Sequence, residues 1–121
     1  MLVRNHMDLQ VWQKSRELVK DIYGISVKFP RTERFSLSSQ MQRAAISIPS
    51  NIAEGFGRGS NKEFKHFLLI ALGSAAELQT QILLAQDIGY INSRLGEQLT
   101  DKTVEISKML NGLLKHLKLN H

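Results

Sequence analysis

Apolar side chains recur along this chain at alternating steps of three and four, in four successive series. Val11, Ser15, Leu18, Ile22, Ile25 and Phe29 make the first, widened by Trp12, Val19 and Tyr23. It predicts an amphipathic helix over about 9–28, with Asp8 as its N-cap and Pro30 as its stop. The second series, Met41, Ala44, Ala45, Ile48, Ile52 and Phe56, predicts a helix over about 38–58. Ser38 or Ser39 would cap it, and Gly57 and Gly59 would supply left-handed backbone at its end. Ser60 and Glu63 form an S-x-x-E capping box ahead of Phe64, Leu68, Ala71, Ala75, Leu78, Ile82 and Ala85, a third helix over about 61–88 closed by Gly89. Leu99, Thr103, Ile106, Leu110, Leu113 and Leu117 continue the alternation in a fourth, about 92–118, opened by Asn92 or Ser93. No segment alternates with period two over a useful length.

Four long helices with short connections predict one all-α domain spanning 1–121, an up-and-down antiparallel four-helix bundle. The third helix carries more apolar surface than one seam needs, because Leu69, Ile70, Leu72, Leu83 and Leu84 lie off its heptad positions. Either it is the central helix of the bundle or a second subunit covers it.

The stretch RAAISIPSNIAEGFGRGS, Arg43 to Ser60, breaks the ordinary helical composition with one proline and three glycines. If the reversal is centred near Gly59, Ala45 lies level with Gly73 and Arg43 with Ala75. Small residues on the second helix (Ala44, Ala45, Ser47, Pro49, Ser50, Ala53) would then face Ala71, Gly73, Ser74, Ala75 and Ala76 on the third. Pro49 predicts a kink, with Ser47, Ser50 or Asn51 placed to satisfy the freed backbone groups. Gln40, Arg43, Ser47, Asn51, Glu54 and Arg58 make a polar line along the same helix. In that line Glu54 and Arg58 have the favourable i,i+4 order, and Arg43 comes within a turn of Glu77 for a cross-helix ion pair.

Composition then narrows the chemistry. Apolar residues make up 42% of the chain and there are two prolines, which describes a folded domain rather than a disordered one. The absence of cysteine removes disulfides, thiol catalysis and thiolate metal sites, and suits a cytoplasmic location. No leader-like segment opens the chain, and the longest uninterrupted apolar run, Phe67 to Leu72, is far shorter than a bilayer, so no membrane is expected as a partner. Charge is uneven. Residues 1–66 hold eleven Lys/Arg against six Asp/Glu, and 67–121 hold five against five, so the formal +5 lies wholly in the first part. A polyanion, RNA or DNA, is the partner such a balance suits, the alternative being that the charge only maintains solubility.

Sharper chemical readings fail on spacing. The polar line lacks a nucleophile beside a base, so it makes a poor catalytic site. Glu63 and His66 form an E-x-x-H unit, but a di-iron centre needs two, and no second exists; no metal or other cofactor is expected. Ala53, Gly57, Phe64 and Phe67 imitate a helix-turn-helix, yet Arg58 and Glu63 fall where that motif packs apolar side chains, and the flanking helices are too long for it.

Taken together, LQVWQKSRELVKDIY, SSQMQRAAISIPSNIAEGFGR, EFKHFLLIALGSAAELQTQILLAQDIGYI and EISKML resemble the four-helix bundle proteins encoded by intervening sequences of bacterial 23S ribosomal RNA genes. The similarity runs from about Leu9 to Leu114 and is most specific in S-I-x-x-N-I-A-E-G-x-G-R, Ser47 to Arg58. It implies an all-helical bundle, a homo-oligomeric ring of five subunits and no enzymatic activity. The family motif falls on Asn51, Ala53, Glu54, Gly55, Gly57 and Arg58, to which the family assigns no biochemical role.

In such a bundle the chain start, the turn between the second and third helices and the chain end share one pole. That pole would gather Arg4, Arg58, Lys62, Lys65, Lys115 and Lys118 against Asp8, Glu54 and Glu63, together with His6, His66, His116 and His121. A ring would repeat the patch in every subunit, a charged rim for phosphates without sequence-specific readout. The expected function is thus non-specific nucleic-acid binding by a non-enzymatic helical ring, the alternative being a protein-interaction scaffold.

Overall fold

The computed structural model of the chain describes residues 3–119, with the backbone alone for Leu119. Four helices follow in order, α1 (Gln10–Ser26), α2 (Leu37–Gly57), α3 (Asn61–Ile88) and α4 (Ser93–Leu119), with 3-10 turns at His6–Asp8 and Arg31–Glu33. No strand occurs among the described residues. Each helix packs on its neighbours in sequence and α4 closes back on α1; the α2–α3 interface is the most extensive and α1–α4 the least. With connections this short, that contact order is an up-and-down antiparallel four-helix bundle.

The heptad reading holds most closely in α3, where all seven positions of the series from Phe64 to Ala85 are buried and Gln81 joins them. In α1 the buried stripe passes through Ser26 rather than Ile25, and in α2 through Gly55 rather than Phe56. A straight helix has 3.6 residues per turn, so a stripe written at 3.5 slips to the next residue near a helix end. Leu18, Ile22, Met41, Ile48, Ile52, Leu68, Leu78, Ile82, Ile106 and Leu110 are fully buried. Burial of each such side chain contributes about 1.5–3 kcal/mol. Two buried hydroxyls are bonded within their own helices, Ser15 Oγ to the Trp12 carbonyl at 2.8 Å and Thr103 Oγ1 to the Leu99 carbonyl at 2.7 Å. Among the described residues, Gln81 Oε1 is the buried side-chain oxygen without a partner.

Several caps differ from those expected. Asp8 does not cap α1; its carboxylate accepts from the Arg4 and Asn5 amides at 2.8 and 3.4 Å and closes a capping box on the turn that precedes the helix. Ser38 and Ser39 lie inside α2, and Ser38 Oγ donates instead to the Ser26 carbonyl at 3.2 Å. The α2 entry is served by Glu33, whose Oε1 accepts from the Leu37 amide at 3.3 Å. Gly57 is helical, and the left-handed turn residue is Gly59, with φ +84°. Ser60 caps α3 as expected, accepting from the Glu63 amide at 3.2 Å, and Gly89 ends it at φ +94°.

The α2–α3 hairpin is close-packed, though not where Gly73 had suggested. Gly73 and Ala76 are exposed, whereas a Cβ placed on Gly55 would lie 2.7 Å from Phe67 Cβ. Ala44, Ala45, Ala71 and Ala75 are buried between the helices. Ser47 and Ser74 touch hydroxyl to hydroxyl at 2.7 Å. Ser74 donates to the Ile70 carbonyl at 3.2 Å, so Ser47 gives its own proton to Ser74, and the Asn51 amide donates to Ser47 Oγ at 2.9 Å. Helix α2 runs unbroken through Pro49. The Asn51 amide also bonds the Ser47 carbonyl at 2.8 Å, rather than the Ala45 carbonyl that Pro49 deprives of a donor. Pro49, Ser50 and Ala53 turn the other way, into a groove shared with Trp12 and Val19 of α1. Glu54 and Arg58 pair at 3.0 Å, but Arg43 and Glu77 are both exposed and do not pair.

Outward from the bundle, α3 shows Leu69, Ile70, Leu83, Leu84 and Ile88, each 40–57% exposed. Glu77 is the single charge between His66 and Asp87 on that helix. By length and composition α3 could cross a bilayer, a property hidden when only uninterrupted apolar runs are counted. Here its stripe from Phe64 to Ala85 faces the core, between α2 and α4.

Candidate nucleic-acid interface

The antiparallel topology fixes which residues share a pole. The start of α3 and the last turns of α4 meet around a groove of about 410 Å³ lined by Lys65, Leu69, Leu114, Lys115 and Lys118. Helical spacing makes this work: Lys65 and Leu69 are one turn apart on α3, and Leu114 and Lys118 one turn apart on α4. The result is an apolar floor with three ammonium groups around it. The turn at His6–Asp8 packs on α1 and α2 and so reaches the same pole on the other flank of the bundle.

Of the six cations expected at this pole, the groove gathers Lys65, Lys115 and Lys118. Arg58 is engaged elsewhere, paired with Glu54 and lying over the Phe67 ring at 5.1 Å. Lys62 is exposed in the first turn of α3 but does not line the groove, and Arg4 sits with the α1–α2 flank. Two of the histidines meet aromatic rings. His6 meets the Trp12 ring at 5.1 Å and His66 the Phe67 ring at 5.2 Å, while His121 lies outside the described residues. No three His, Asp or Glu side chains gather as a ligand set among the described residues. The groove therefore offers charge attraction and apolar contact, and it presents no nucleophile beside a base.

The opposite pole was missed by the sequence reading. Phe29 is buried and packs on Tyr90 with ring centroids 5.1 Å apart, and the Tyr90 hydroxyl donates to Glu33 Oε2 at 2.7 Å. That hydrogen bond, with the Leu37 amide second, holds the Glu33 carboxyl below its ordinary value and lifts Tyr90 above its own. Phe35 stands out at 88% exposure with the Arg34 guanidinium 5.2 Å from its ring. Arg31 and Arg34 border a cleft of about 300 Å³ that also includes Ser26, Ser38 and Gln42. The available signal was three cations, Lys28, Arg31 and Arg34, within seven residues of one linker.

The fold defines a class, the all-α four-helix bundle proteins. Residues 7–112 match the 23S rRNA-intervening sequence protein family, and the chain belongs to that family. Among solved structures it is similar to a protein of unknown function from the S23 ribosomal protein family of Bacteroides thetaiotaomicron. The two share 29% identity over 87% of this chain and 95% of that one, with a TM-score of 0.81. No curated protein matches the chain.

Proposed function

We propose that this protein is a non-enzymatic homo-oligomeric ring that binds nucleic acid through phosphate contacts at the pole where α3 begins and α4 ends. The observation that carries the binding reading is the convergence of Lys65, Lys115 and Lys118 on one groove. Lysines are point charges that neutralise phosphates without reading bases. Assembly is supported by the apolar outer face of α3, which a monomer leaves in water. A ring needs a second, different patch to receive it. The groove between α1 and α2, about 380 Å³ and lined by Trp12, Val19, Ile46 and Pro49, has the apolar character required. The family resemblance supplies the expectation of five subunits, and the absence of cysteine that of a cytoplasmic setting.

Purification without nuclease, followed by light scattering and an absorbance ratio, tests both halves in one run. Three phosphates neutralised per subunit predict that log affinity falls with log salt at a slope of about −2 to −3 for each subunit engaged. Lys65→Glu with Lys115→Glu should abolish retention of duplex nucleic acid while leaving the mass unchanged; duplex retention that survives refutes the groove. Leu83→Glu with Leu84→Glu should return the protein to monomer, and an unchanged mass refutes the α3 interface. The apolar floor, Leu69 and Leu114, favours a second reading, a scaffold for a protein partner, which predicts binding with little salt dependence.

A further inference from the structure

The linker between α1 and α2 anchors one phenylalanine and displays another. Phe29 is 8% exposed and Phe35 is 88% exposed, the highest value among the large apolar side chains described. Phe35 is held in place: it lies between the 3-10 turn at Arg31–Glu33 and the start of α2, where the Ser36 amide bonds the Glu33 carbonyl at 3.0 Å. The linker's one carboxylate is engaged on both oxygens, by Leu37 and by Tyr90. Lys28, Arg31 and Arg34 are exposed, and none of them takes part in an ion pair among the described residues. Arg34 lies over the Phe35 ring, leaving most of the ring open to water.

An open aromatic face with a guanidinium beside it and further cations within reach is the arrangement on which unpaired bases stack while their phosphates are neutralised. We propose that this linker is a stacking platform for single-stranded nucleic acid, with a base on Phe35 and the flanking phosphates on Lys28, Arg31 and Arg34. A duplex keeps its base faces stacked inside the helix and has none to offer. An isologous second copy would set these cations against their own equivalents. A membrane would be met by one ring and Val27 rather than by an apolar face. The site is separate from the lysine groove and does not depend on it.

The test uses the full chain carrying Phe35→Trp, with the unsubstituted chain supplying the Trp12 background. A short oligothymidylate should quench the added emission, and a duplex of equal length at the same salt should not. Phe35→Ala should weaken oligothymidylate binding about tenfold in fluorescence anisotropy, the loss expected for one stacked base. Lys65→Glu with Lys115→Glu should leave the quenching in place, so failure of the groove and failure of the platform give different results. Absence of quenching, or equal quenching by the duplex, overturns the proposal. It is also overturned by a blue shift that appears only with phosphatidylglycerol vesicles, which makes the patch a lipid contact. A blue shift that grows with protein concentration alone overturns it too, making the patch a subunit contact.

Discussion

Gly55→Ala probes the closest approach in the molecule. The new methyl would sit 2.7 Å from Phe67 Cβ, 3.2 Å from Phe64 Cδ1 and 3.3 Å from the Phe64 carbonyl oxygen. Phe67 Cβ is fixed to its own backbone and cannot swing aside, so relief requires α2 and α3 to separate along a seam of alanines. Overpacking costs about 1–3 kcal/mol, and an immovable Cβ at 2.7 Å puts this site in the upper part of that range, about 2–3 kcal/mol. The gain from replacing glycine by alanine inside a helix offsets about 0.8–1 kcal/mol of it. The net expectation is a loss of about 1–2 kcal/mol, or about 4–8 °C in Tm for a domain of this size. Gly112→Ala is the matched control: it is exposed in α4, nothing lies within 4 Å of its added methyl, and it should gain about 1 kcal/mol. Urea unfolding of the three proteins at one protomer concentration reads both effects, since assembly makes apparent stability depend on concentration. A Gly55→Ala protein as stable as the unsubstituted chain would refute the claim that backbone contact at Gly55 sets the spacing of the hairpin.

Three further outcomes are expected. Tyr90→Phe keeps the ring contact with Phe29 and removes the hydroxyl that Glu33 accepts. The depressed Glu33 contributes stability that is present above its ordinary 4.5 and lost as pH falls through its lower folded value. The raised Tyr90 contributes stability that is present below 10.0 and lost as pH rises through its higher folded value. Thermal scans of Tyr90→Phe across pH should therefore fall less steeply at both edges, and unchanged edges would remove the clasp. Gln81→Met retains length while deleting the unpartnered buried oxygen, and should raise urea stability by about 1 kcal/mol; a loss would show that the oxygen is satisfied in solution. A double-mutant cycle of Ser47→Ala and Ser74→Ala should show coupling of about 0.5–1.5 kcal/mol, whereas the same cycle on Arg43 and Glu77 should show none.

The helices and their order were legible because each stripe is long enough for its period to average out local noise, as in the seven matched positions of α3. What escaped depended on angle around a helix rather than distance along it. Gly73 was expected to face α2 and Gly55 was not singled out for contact, yet Gly73 points to solvent and Gly55 to Phe67. Asp8 was drawn into a capping box with Asn5, a local competition that the residue pattern before α1 does not reveal. The shared pole followed from topology and placed Lys65 with Lys115 and Lys118. Topology says nothing of which flank each cation takes, and Arg4, Arg58 and Lys62 went elsewhere. At the other pole the linker was passed over because it has no periodicity, although its charges and Phe35 were plainly written.

The hydroxyl pair of Ser47 and Ser74 and the glycine contact at Gly55 act together as two notches on a sliding rule. Alanine-faced rods could otherwise glide past one another by a turn at little cost. Such a glide would carry each hydroxyl away from its mate and bring a bulkier neighbour against Phe67. The alignment of the hairpin is thus stored in the rods themselves, and the bend at Gly59 merely joins them. Extra residues spliced into that bend would cost only slowly growing loop entropy and leave the alignment where it is, so kindred chains are free to differ in length there while keeping the same bundle.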